Sequence, residues 1–91
     1  MSQSHQAIFN QCEVAARGVL HLLPKTQADE YLAYITTYGE WLLGLECIID
    51  WLFEEDKAIT NIQFAEFEKA YKLMDLGNDE RLANLRSLAE S

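Results

Sequence analysis

Between residues 40 and 56 the chain is at once most apolar and most acidic. Trp41, Leu42, Leu43, Leu45, Ile48, Ile49, Trp51, Leu52 and Phe53 alternate there with Glu40, Glu46, Asp50, Glu54, Glu55 and Asp56, and no Lys or Arg intervenes. Trp41, Leu45, Ile48 and Leu52 recur at three- and four-residue spacing, which places them on one narrow helical stripe that Ile49, Gly44 and Trp51 widen. A helix this apolar needs cover on several sides. The expected architecture is therefore all-α, with this third helix at the centre of a compact bundle of about five short amphipathic helices.

The punctuation elsewhere agrees. One proline and four glycines in 91 residues leave few breaks. The first helix is expected over residues 4–22, on Ile8, Cys12, Ala15, Ala16, Val19 and Leu23, with Pro24 as its stop. Thr26 with Asp29 resembles a capping box for a second helix over 27–38, which carries Tyr31, Leu32, Tyr34, Ile35 and Tyr38 and ends at Gly39, a natural left-handed cap. The third helix spans 40–54, and 57–59 form a loop. Thr60 with Gln63 is a capping box opening a fourth helix on Phe64, Phe67, Tyr71 and Met74, which Gly77 ends. Asn78 then caps a last helix on Leu82, Leu85 and Leu88. Loops this short predict that sequential helices pack side by side. No linker or repeat divides residues 1–91, so one helical domain is expected.

Constellations that carry chemistry do not form. There is no Glu-x-x-His for a carboxylate-bridged metal pair, and no Gly-rich turn to cradle phosphate. No Asp-Ser-Leu carrier site opens a helix. His5 and His21 stand sixteen residues apart at opposite ends of the expected first helix, so no zinc site, and no cofactor of any kind, is expected. Cys12 and Cys47 fall inside helices and read as reduced, buried thiols; Cys47 lies between Glu46 and Asp50, where negative charge disfavours a thiolate. Glu54 and Glu55 read as a solvated pair. The chain is not expected to be an enzyme. Its longest apolar runs fall far short of a membrane span of ~20 residues. No basic region followed by an apolar one opens MSQSHQAIFNQCE, so a cytoplasmic location is the expectation.

Charge speaks to partners. The formal net charge is -8, and the 40–56 segment alone holds six of the fifteen carboxylates. Nucleic acid and anionic membrane are disfavoured, because their recognition begins with Lys and Arg on phosphate; no small-molecule substrate is indicated. On the third helix Glu46, Asp50 and Glu54 recur at i, i+4 and i+8, where like charges destabilise a helix by ~0.2–0.5 kcal/mol per pair. Glu54, Glu55 and Asp56 gather at its C-terminal end, where the helix dipole prefers cations. Leu43 and Cys47 project into the same face and Phe53 borders it, either as an anchor for a partner or as residues another helix covers. Glu46, Asp50, Trp51, Glu54, Glu55 and Asp56 are the candidate partner-binding residues, and a basic protein is the partner the charge favours.

The run Gly39-Glu40-Trp41-Leu42-Leu43-Gly44-Leu45-Glu46, with Asp50, Leu52, Phe53, Glu54 and then Ile59-Thr60, resembles the small immunity proteins of bacterial polymorphic-toxin and contact-dependent inhibition systems, the MafI-like group. Phe64, Glu66 and Phe67 through Leu73, Met74 and Leu76 extend the likeness, which covers residues 31–76; Gly44 stands where the pattern usually has Ala. The resemblance implies an antidote that binds the C-terminal toxin domain of a secreted effector, often a ribonuclease, EndoU-like ones included, and blocks it. The alternative expectation is an acidic helical adaptor or structural subunit that forms a homo-oligomer through Trp51 and the tyrosines.

Overall fold

Five helices form in the computed structural model, which describes residues 5–90: α1 (His5–Arg17), α2 (Lys25–Thr36), α3 (Trp41–Glu54), α4 (Asn61–Leu73) and α5 (Glu80–Arg86). Two two-residue strands, β1 (Ile59–Thr60) and β2 (Ala89–Glu90), pair in parallel, Ile59 opposite Ala89 and Thr60 opposite Glu90. The fold is a small all-α bundle in which this pairing only ties the last residues to the loop before α4.

The central role expected of the third helix is observed. α3 packs against α1, α2 and α5, and its Leu45, Ile48, Ile49 and Leu52 are fully buried. Burying four such side chains contributes roughly 6–12 kcal/mol. α2 approaches α3 very closely at Gly44, where an added Cβ would lie 2.5 Å from Ile35 Cγ1 and 3.0 Å from the Tyr31 carbonyl oxygen. The remaining core comes from Cys12, Ala15, Ala16 and Val19, from Phe64, Phe67, Ala70 and Tyr71, and from Leu82, Leu85 and Leu88. Neighbours in sequence are not all neighbours in space: α4 packs chiefly on α1 and next on α5, while α3 turns its flanks to α2 and α5.

Several boundaries move, each for a physical reason. α1 ends at Arg17 instead of continuing to Leu22, because the chain tightens after Gly18 into a 3₁₀ turn, Leu20–Leu22, that buries Val19 and Leu23 together. Its expected start at Ser4 lies outside the described residues. α2 begins at Lys25 with Pro24, not Thr26, at the N-cap; proline's fixed φ of -57° suits the entry, and its carbonyl accepts from Ala28 N–H at 2.9 Å. Gly39 does take the left-handed conformation, at φ +66°.

α3 and α4 both close in Schellman turns. Lys57 N–H donates to the Leu52 carbonyl and Asp56 N–H to Phe53; Leu76 N–H donates to Tyr71 and Asp75 N–H to Lys72. The left-handed residues are Asp56 (φ 53°) and Asp75 (φ 61°), so α4 stops before Gly77. The Thr60–Gln63 capping box forms in full, with Gln63 N–H donating to Thr60 Oγ1 at 3.0 Å and Thr60 N–H to Gln63 Oε1 at 2.8 Å. Gln63 Nε2 also donates to the Gly18 carbonyl at 3.0 Å, joining the exit of α1 to the entry of α4. Asp79, not Asn78, caps α5, its carboxylate accepting from Arg81 N–H at 2.8 Å.

Candidate protein-binding surface

The outer edge of α3 is a line of Leu43, Cys47, Asp50 and Glu54, spaced so that each lies about one turn from the last on the face opposite Leu45 and Leu52. Neighbouring helices treat its two sides differently. On one side α5 presents Arg81, whose Nε donates to Asp50 at 3.0 Å and whose Nη1 donates to Glu46 at 3.2 Å. The acidic series on α3 thus has a cation after all, brought from 31 residues further along the chain. Arg81 and Asp50 remain 40% and 46% exposed, so solvent screens the clamp and each pair contributes only ~0.2–1 kcal/mol.

On the other side α2 presents tyrosines. Tyr31 and Tyr34 stack at 6.2 Å between ring centroids and 22° between planes. Tyr34 Oη donates to Glu30 at 2.7 Å, which orients both groups. Burial, then the nearby Cys47, Glu30, Glu54 and Asp50, push the Tyr31 phenol up; the hydrogen bond to Glu30, then burial, does the same for Tyr34. Cys47 lies between these groups, and burial, reinforced by Asp50, Glu30 and Glu46, raises its thiol too. Cys47 is half-buried and free, and Cys12 is buried, free and pushed up to about 12 by desolvation. Neither is set up as a nucleophile.

The candidate residues therefore divide. Glu46 and Asp50 hold Arg81 and so help fix α5. Trp51 is half-buried and packs on the hydrophobic core, which accounts for it without a partner. Asp56 is the left-handed residue of a helix-ending turn, and Glu55 is the cap before it. Glu54 is exposed with no ion pair among the described residues. Leu43 is 42% exposed, so no other helix covers it, and Phe53 is 44% exposed. Glu30 had not been singled out in the sequence, although its four-residue spacing from Tyr34 was a legible signal. Arg81 had no such signal, because nothing local connects it to α3.

A count of charges shows what remains. Six of the seven cations make ion pairs, with Glu13, Asp29, Glu46, Asp50, Glu66 and Glu68 as their partners. Nine carboxylates and a single cation, Lys57, are left without one among the described residues, and their difference is the whole net charge of -8. Glu30, Glu40, Glu54, Glu55 and Asp56 lie on or beside α2 and α3; Asp75, Asp79, Glu80 and Glu90 lie toward the C-terminal part. Among the described residues no His, Cys, Asp or Glu group is arranged to hold a metal ion, and no helix is long and apolar enough to cross a membrane. Compared with protein-family models, with curated proteins and with solved structures, the chain matches none.

Proposed function

We propose that this chain is an immunity protein, which binds a basic toxin domain, a ribonuclease such as an EndoU-like enzyme, and neutralises it. The supporting observation is the uncompensated charge: among the described residues nine carboxylates and one cation are left without an ion pair, five of the carboxylates on or beside the α2–α3 pair. The likeness of residues 31–76 to the MafI-like group supplies the class. A nuclease presents Lys and Arg to phosphate, so its groove attracts such a surface. Complementary charge can raise association toward ~10⁸–10⁹ M⁻¹s⁻¹ at low salt, which suits a protein that must capture a toxin before it cleaves. Its place of action would be the cytoplasm, where such a toxin would find its RNA.

Co-expression with the C-terminal domain of a polymorphic toxin, taken from a gene adjacent to this one, is the direct test. Growth rescue and a stable complex on gel filtration are the expected results. Toxicity undiminished by co-expression, with two separate peaks, would end the reading.

A further inference from the structure

Resting on the reading that the chain binds a basic protein, we infer that the docking surface is the α2–α3 face, centred on Leu43 and Cys47, with Tyr31 and Tyr34 as one wall and with Glu30 and Glu54 as acids that have no ion pair among the described residues, and that it receives a segment carrying an aliphatic anchor flanked by guanidinium groups. The occupant follows from what the face offers. Leu43 is 42% exposed on a helix whose other large aliphatic residues, Leu42 excepted, are fully buried, which leaves an apolar point for another molecule to cover. Stacked tyrosine rings offer flat, rigid, amphipathic area at small entropic cost, and arginine is the cation that stacks on such rings while bonding carboxylates in pairs.

The acids sort in the same way. Arg81 already occupies Glu46 and Asp50, at 3.2 and 3.0 Å, so an incoming cation meets Glu30 and Glu54 without displacing it. Arg81 also shows, within this molecule, that α3 carboxylates accept a guanidinium. A second copy is the wrong occupant, because two chains of charge -8 repel.

Titration of the ¹⁵N-labelled protein with the blocked peptide Ac-Arg-Leu-Arg-NH₂ tests this. Saturable shifts confined to Tyr31, Tyr34, Leu43 and Cys47 are expected. Ac-Arg-Gly-Arg-NH₂ should bind at least threefold more weakly, and Leu43→Ala should abolish that preference. The Glu30→Gln/Glu54→Gln protein, altered only at exposed positions, should bind the first peptide at least threefold more weakly with an unchanged thermal midpoint. No shifts, or shifts of equal size around Asp75 and Glu80, would overturn the assignment. A toxin complex that forms while the peptide ignores this face would leave the immunity reading standing and remove only the location.

Discussion

Asp56 is one of the carboxylates that looked most available to a partner, and its backbone gives it another reason to be there. At φ 53° it terminates α3, and Asp75 at φ 61° does the same for α4. Aspartate tolerates the left-handed region better than most residues, but glycine occupies it without strain. Asp56→Gly and Asp75→Gly should each raise stability by about 0.5–1 kcal/mol in urea unfolding, the first also removing a negative charge from a helix C-terminus. A fall in stability would mean that the carboxylate makes a compensating interaction. Tyr71 is the opposite case: fully buried, its hydroxyl has no protein hydrogen-bond partner among the described residues. Tyr71→Phe should therefore be neutral or stabilising by about 1 kcal/mol. Burial raises both its phenol and the Cys12 thiol, the latter from 9.0 to about 12. Each is neutral when protonated, so the folded state holds these protons more tightly than the unfolded chain does. The stability they contribute is intact below pH 9 and is lost as pH rises toward 12. The urea midpoint should fall across that window, less steeply in Tyr71→Phe; a flat profile would show that neither group is protected.

The α2–α3 seam depends on one missing methyl group. Alanine is the better helix former by ~1 kcal/mol. Here Gly44→Ala would place a Cβ 2.5 Å from Ile35 Cγ1, against a side chain that is fully buried and cannot swing away. Overpacking of that kind costs ~1–3 kcal/mol, so Gly44→Ala should destabilise. In an Ile35→Ala background the 2.5 Å contact is gone and only the 3.0 Å approach to the Tyr31 carbonyl oxygen remains, so the same substitution should cost markedly less, a coupling that a double-mutant cycle reads directly. Equal effects in both backgrounds would mean that the helices separate freely. Elements were legible in the sequence wherever local chemistry specifies them. Thr60 and Gln63 lie three residues apart and satisfy each other, and Gly39 must turn left-handed to join α2 to α3. The end of α1 was misread because Val19 and Leu23 keep helical spacing past Gly18, although the 3₁₀ turn buries both. Likewise no short-range pattern reports that Asp75 rather than Gly77 takes the left-handed turn.

Across the whole molecule, what sequence could not supply was pairing between distant elements. Arg81 changed the meaning of Glu46 and Asp50, and only the packing of α5 on α3 brings them together. The net charge was readable from composition, but its distribution after internal pairing was not. That distribution lets the place of the charge be tested apart from its amount. Reversing Glu30 and Glu54 to Lys, or Glu80 and Glu90 to Lys, shifts the formal charge equally, by four units from -8. Long-range attraction to a basic partner should weaken similarly in both. Contact at the α2–α3 face would be lost only in the first, which should therefore also dissociate at least tenfold faster, while the second changes mainly the association rate and its salt dependence. Stopped-flow association and surface-based dissociation measured between 50 and 500 mM salt separate the two effects. Equal dissociation rates in the two variants would move the interface off this face, since steering depends on total charge whereas residence depends on the groups in contact.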